Sequence, residues 1–175
     1  MAIVALIGLA LLGLTTLIHY EVLRAMSFGL PLLRIPARVK LIVVIFAAFL
    51  AHLCEIALYA VTIKVLVSDL ALGTLGETTH FNLSVALYFS AETFSSLGYG
   101  DVVPGGALRL LAGGEALNGL LLVGWSASYI YIAMERFWNE GASGWRGARS
   151  GESHRRPAQI PRRRSREIRN SLIKK

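Results

Sequence analysis

Charged residues are scarce in this sequence. Asp, Glu, Lys and Arg make up 17% of its 175 residues, whereas 54% are hydrophobic. Soluble domains carry about a quarter charged residues, so this composition excludes an ordinary soluble domain and indicates a membrane protein. The single cysteine, Cys54, excludes an intrachain disulfide framework and is expected to be a small buried hydrophobe.

Several chemical signatures are also missing. The sequence has no phosphate-binding glycine loop, no Cys/His metal-ligand spacing and no serine nucleophile motif, so we expect neither an enzyme nor a bound cofactor. No apolar segment carries arginine at every third position, which excludes an intrinsic voltage sensor. His19, His52 and His80 lie on different segments, and this spread argues against a shared metal site.

Three apolar segments are long enough to cross a membrane as helices: residues 2–26, 41–67 and 108–137. The first could be a signal peptide, but no basic residue precedes it and no small-x-small cleavage site follows it. The basic residues after it place the N-terminus outside and the next loop in the cytoplasm. The sequence therefore predicts an all-α membrane protein with three transmembrane helices.

Polar residues inside these segments need partners. His52 and Glu55 are three residues apart on one helical face, which indicates either a structural contact between helices or a functional site. Glu115, in the third segment, is expected to pair with Arg109 or to hydrogen-bond to a neighbouring short helix.

A shorter helix is predicted between the second and third spans. Asn82 or Ser84 can cap its start, and it runs to about Ser95. At about 13 residues it is too short to span a bilayer, so we expect it to be re-entrant, with its negative C-terminal end favouring a cation. The irregular backbone after it can lie at membrane depth only beside protein or a water-filled path.

The segment that follows this helix is Ser96-Leu97-Gly98-Tyr99-Gly100-Asp101. It resembles the selectivity filter of the potassium-channel family, whose usual form is Thr-Val-Gly-Tyr-Gly-Asp. The preceding Ser90-Ala91-Glu92-Thr93 is similar to the end of the pore helix in small bacterial potassium channels. The resemblance implies a pore helix, a filter loop and a tetrameric channel.

The resemblance also implies how the filter binds its ion. Potassium would replace its water with the backbone carbonyls of Ser96, Leu97, Gly98 and Tyr99, while Gly98 and Gly100 supply backbone turns of positive φ. The Ser96 hydroxyl would form the innermost ring, and potassium is the permeant ion. Ser96 and Leu97 replace the family's threonine and valine, which puts the degree of selectivity in doubt.

The same resemblance assigns supporting residues. Glu92 and Asp101 would meet behind the filter and share a proton, or Glu92 would pair with Arg109 and leave Asp101 solvated. Tyr88 would belong to an aromatic cuff. Gly119 would be the hinge of the inner helix, and the cavity or gate would be lined by Leu120, Val123, Ala127, Ser128 and Tyr131.

One filter strand cannot encircle an ion, so we expect a homotetramer in the cell membrane with a cytoplasmic C-terminus. The chain divides into an N-terminal transmembrane helix (1–26), a cytoplasmic connector (27–40), a pore domain (41–137) and a basic flexible tail (138–175). Twelve of the eighteen Lys and Arg lie from Arg136 onward. This tail either docks on anionic lipid or stays solvated, and no nucleic acid is expected as a partner.

The predicted function is passive, potassium-selective conduction. The alternatives are a weakly selective cation channel and a non-conducting membrane subunit with a regulatory or binding role. A membrane-anchored nucleic-acid-binding protein that uses the basic tail is a further rival.

Overall fold

A computed structural model describes the backbone of residues 1–76 and 81–153, and the side chains of residues 1–76 and 81–138. The chain divides into two compact units, Met1–Phe137 and Trp138–Lys175. Every side-chain contact given below lies within the first unit.

The fold is mostly helical. The described residues form four α-helices: α1 (Ala2–Gly29), α2 (Ala37–Ser68), α3 (Leu83–Phe94) and α4 (Leu108–Ser153). Within the described residues, three stretches are long and apolar enough to cross a membrane: Ala2–Leu32, Ala37–Ser68 and Leu108–Trp138. The predicted set of three spanning helices and one short helix is confirmed. Over an 18-residue window of each apolar stretch, 22% to 28% of the residues are buried within the chain, so most of this surface is left for lipid or other chains. Cys54 of α2 is exposed, so the expectation of a buried cysteine is wrong.

The helices extend beyond the bounds expected from the sequence. α1 continues to Gly29, and a single 3₁₀ turn, Leu30–Leu32, follows it. Pro31 lies at the start of that turn, where its missing N–H costs no hydrogen bond. α2 begins directly after Pro36. α4 continues past residue 137 to Ser153, since the glycines there weaken a helix without forbidding it.

The core joins α1 to the three other helices. Val4 and Leu11 of α1 belong to the same buried cluster as Tyr59 of α2, Phe94 of α3 and Leu111 of α4. A second, smaller cluster consists of Leu30, Val44, Ala133 and Phe137. The first span is therefore packed against the other helices along its length.

Two three-residue strands were not predicted. β1 (Gly73–Leu75) and β2 (Pro104–Gly106) pair antiparallel, with Gly73 opposite Gly106. A Cβ at Gly105 would overlap with Thr74 Oγ1, so a larger residue there would force the Thr74 side chain into another rotamer. The pairing connects the loop after α2 to the end of the loop between α3 and α4.

Candidate functional site

The short helix α3 has a defined start and end. Asn82 is its N-cap, and the side-chain oxygen of Asn82 accepts the Val85 N–H at 3.0 Å, as one of the two expected caps. At the other end, the Leu97 N–H donates to the Glu92 carbonyl (2.8 Å) and the Ser96 N–H donates to the Thr93 carbonyl (3.0 Å). This pair of bonds is a Schellman motif, which satisfies the last carbonyls of the helix.

The Schellman motif places Ser96 in the left-handed position that is usually glycine. Its φ is +56°, and a residue with a Cβ is strained there by about 1–2 kcal/mol. We therefore expect Ser96→Gly to be about 1 kcal/mol more stable than Ser96→Ala, because both lack the hydroxyl and only alanine keeps the strain. Thermal unfolding of the two purified variants measures the difference. Equal stabilities would contradict the strained assignment.

In the loop after α3, residues with positive φ alternate with residues whose φ is negative. Gly98 and Gly100 have φ of +54° and +79°, as predicted, and Ser96 adds a third positive value two residues earlier. Leu97 and Tyr99 are not among the positive-φ residues. Alternation of this kind is the geometry that lets successive carbonyls face the same side of a strand.

This loop is uncovered in the single chain. Residues 95–101 are all exposed, and the side chains of Leu97 and Tyr99 are 58% and 69% exposed. Large exposed side chains such as Leu97 and Tyr99 indicate a surface that a partner covers.

Behind the loop, two carboxylates have separate partners. Glu92 is buried, and its Oε2 accepts the Tyr99 N–H at 3.2 Å. The Tyr88 hydroxyl donates to Asp101 Oδ1 at 3.2 Å, and the rings of Tyr88 and Tyr99 lie parallel with centroids 6.4 Å apart. Glu92, Tyr88 and Asp101 thus all contact the loop or its end. The shared proton between Glu92 and Asp101 stays a prediction.

Arg109 was expected as a possible partner of Glu92 or of Glu115, but its described hydrogen bond is to a backbone carbonyl. Its Nε–H donates to the Pro104 carbonyl at 3.1 Å. Glu115 is fully buried, and its Oε1 accepts the hydroxyl of Ser90 on α3 of the same chain. Two partners were expected for Glu115, Arg109 and a short helix. The structure pairs Glu115 with the short helix α3 of the same chain.

Gly119 lies against the end of α3. A Cβ built there would be 2.0 Å from the Phe94 carbonyl oxygen and 2.8 Å from its carbon. Glycine therefore lets α4 approach the backbone of α3 at the point where the loop begins. The hinge role of Gly119 stays a prediction. The five residues expected to line a cavity are all exposed in the chain: Leu120, Val123, Ala127, Ser128 and Tyr131.

A buried polar ring links α1, α2 and α4, and it consists of His19, His52, Glu55 and Ser126. Glu55 of α2 contacts the Nδ1 atoms of His19 (2.9 Å) and His52 (3.0 Å) with its two oxygens. Ser126 Oγ of α4 lies 3.1 Å from the Nε2 atoms of both histidines. The imidazole rings stack with centroids 5.0 Å apart. The expectation that the histidines lie apart is wrong for His19 and His52, while His80 lies outside the described residues.

A second polar contact also holds α1 in place. Asn118 Nδ2 donates to Thr15 Oγ1 at 2.7 Å and to the Tyr59 hydroxyl at 3.2 Å, so α1, α2 and α4 meet again. Neither Thr15 nor Asn118 was predicted as a contact from the sequence, and His19 was expected to lie apart from the other histidines. The only signal was their polarity within apolar spans, which marks such residues as contacts or sites.

One comparison with known proteins bears on this arrangement. A family model described as an ion channel matches residues 39–136, which is more than half of the chain. The match covers nearly all of α2, all of α3 and its following loop, and the first part of α4, and it leaves out α1. No curated protein and no solved structure matches the chain.

Proposed function

Because the chain belongs to the ion channel family, in its two-transmembrane potassium-channel type, we propose that four copies form a pore that conducts potassium passively. The single observation that carries the proposal is the alternating hand of the backbone at Ser96, Gly98 and Gly100. An ion gives up its water when carbonyl oxygens replace it from all sides, and one strand supplies oxygens from one side only. Fourfold assembly supplies the rest and covers the exposed loop.

In this proposal the ion is held by the carbonyls of Ser96, Leu97, Gly98 and Tyr99, with Gly100 completing the last turn. Potassium is the permeant ion, and neither a cofactor nor an enzymatic step is involved. In the tetramer, the C-terminal end of α3 faces the cavity below the filter. The partial negative charge of that helix end favours a cation there.

The residues behind the filter fix its diameter. The Glu92 carboxylate accepts the Tyr99 N–H, and the Tyr88 hydroxyl donates to Asp101 while its ring lies parallel to that of Tyr99. The hydrogen bond from Tyr99 to Glu92 and the contacts of Tyr88 with Asp101 and Tyr99 restrict changes in the diameter of the filter. Gly119 would act as the hinge of α4 below the filter.

The exposed face of α4 lines the cavity and gate in the tetramer. Four of its residues recur at spacings of three and four, and the fifth, Ser128, directly follows Ala127, so all five lie on one side of the helix. This face consists of Leu120, Val123, Ala127, Ser128 and Tyr131. None of the five is buried by the chain's own helices, so the face is available to surround a pore.

The chain is a multi-pass membrane protein. We place it in the cell membrane, with its N-terminus outside and its basic tail in the cytoplasm beside anionic lipid. Most of that tail lies outside the described residues, so the sequence alone supports this part of the proposal.

A bi-ionic reversal potential tests the function. The full-length chain is reconstituted in planar bilayers with potassium on one side and sodium at equal concentration on the other. A potassium channel displaces the reversal potential by about 59 mV for each tenfold preference. We expect a displacement that corresponds to at least a tenfold preference, and a Gly98→Ala control should lose the current because its φ of +54° excludes a Cβ without strain.

The alternatives give different results in the same experiment. A reversal potential near zero would support a weakly selective cation channel, for which Ser96 and Leu97 are the motivating residues. Absence of potassium flux in liposomes of any lipid composition would support a non-conducting subunit.

A further inference from the structure

The polar ring of His19, His52, Glu55 and Ser126 is a candidate metal site. One ligand atom from each of the two histidines and from Glu55 lies within 4.8 Å of the others. His19 and Glu55 are fully buried, and the side chain of His52 is 16% exposed. Two imidazoles and a carboxylate are an established ligand set for zinc with an open fourth position.

We propose that His19 Nδ1, His52 Nδ1 and the Glu55 carboxylate bind one divalent transition-metal ion of the zinc class, with Ser126 as the outer-shell acceptor. Nitrogen ligands select such ions over magnesium and calcium, which prefer all-oxygen sites. Potassium, the proposed permeant ion, also prefers oxygen ligands and is not expected to bind imidazole nitrogen.

The distances leave room for this ion after a small adjustment. The two nitrogen–oxygen distances are 2.9 and 3.0 Å. Bonds of about 2.0–2.1 Å in tetrahedral geometry separate neighbouring ligand atoms by about 3.3 Å. The ring must therefore widen by a few tenths of an ångström. His52, the partly exposed ligand, gives the ion access.

Ser126 completes the arrangement. A metal-bound histidine usually donates its other ring N–H to an oxygen, which fixes the orientation of the ring. Ser126 Oγ lies 3.1 Å from both Nε2 atoms and can accept from both at once. One oxygen thus orients two ligands that come from different helices.

The hydrogen count of the ring shows what binding changes. Without metal, one hydrogen in each of the four contacts would satisfy all of them, and the ring would then carry no net charge. With metal, three hydrogens remain, one on each Nε2 and one on Ser126. Binding one ion therefore releases one proton, and it links α1 to α2 directly and to α4 through Ser126.

Metal content of the full-length protein in detergent tests the proposal. After incubation with Zn²⁺ and dialysis, we expect one zinc per chain by elemental analysis. Co²⁺ in its place should give the visible absorption of a tetrahedral site. Glu55→Gln should lower the affinity for Zn²⁺ at least 100-fold while the far-ultraviolet circular dichroism stays unchanged, because an amide can replace the carboxylate in the hydrogen-bonded ring but is a poor zinc ligand.

Two further variants separate this site from unspecific binding. Ser126→Ala keeps all three ligands and should weaken binding about 10–100-fold. The double variant His80→Gln, His154→Gln removes the two other histidines of the chain and should bind as the parent does. Absence of zinc from the parent, unchanged affinity in Glu55→Gln, or loss of binding in the double variant would overturn the proposal. The outcome does not depend on potassium selectivity, which the reversal potential measures separately.

Discussion

Replacing Gly119 with alanine is expected to destabilise the protein by about 3 kcal/mol or more and to abolish conduction. The new Cβ would lie 2.0 Å from the Phe94 carbonyl oxygen, far inside van der Waals contact. Overpacking usually costs about 1–3 kcal/mol, and this case lies at the upper end because backbone atoms cannot turn aside as a side chain does. Phe94 is the last residue of α3, so any shift there moves the start of the loop that we propose as the filter. Thermal unfolding and potassium flux of the purified variant measure both effects.

The matched control is Gly113→Ala on the same helix. A Cβ at Gly113 has no heavy atom within 4 Å, so alanine should stabilise the helix by roughly 0.5–1 kcal/mol. Equal stabilities of the two variants would contradict the close contact at Gly119. If Gly119→Ala folds as stably as the parent and only its open probability changes, then glycine is needed at this position for bending rather than for packing.

The features that the sequence predicts correctly are local ones. The three spans follow from the length of their apolar runs, and the start of α3 follows from Asn82, whose side chain can cap a helix without help from distant residues. The positive φ at Gly98 and Gly100 likewise follows from residue type. The resemblance to a channel pore adds the roles of these residues, and the family match over residues 39–136 supports a channel.

The features that the sequence does not predict depend on which helix faces meet. His19 and Glu55 are 36 residues apart on different helices, and neither an apolar run nor a spacing rule identifies the face of α1 that packs inward. Gly119 illustrates the same limit, since resemblance suggests a hinge whereas the neighbouring Phe94 backbone is visible only in three dimensions. Ser96 has a positive φ because the helix end requires it, against its own residue preference.

Glu55→Leu is expected to destabilise the protein by about 3–5 kcal/mol, because two imidazole nitrogens lose their partner and each such loss costs about 1–3 kcal/mol. Leucine is somewhat larger than glutamate, so no cavity is left while both Nδ1 atoms lose their acceptor. His19 is fully buried and cannot turn to water instead. The loss should be largest for the attachment of α1, because the ring is one of the two polar contacts described above that hold it. Thermal unfolding, together with limited proteolysis of the connector after α1, measures the loss.

Glu55→Gln is the control that separates the hydrogen bonds from the charge. Its amide can accept from one imidazole and donate to the other, and with Ser126 between the Nε2 atoms the ring stays closed with four hydrogens. We expect its free energy of unfolding to lie within about 1 kcal/mol of the parent. A leucine variant as stable as the glutamine variant would show that apolar packing alone holds α1, and the ring would then have no structural role. A glutamine variant as unstable as leucine would instead mean that the negative charge of Glu55 is itself required, as it is when one of the histidines carries the extra proton.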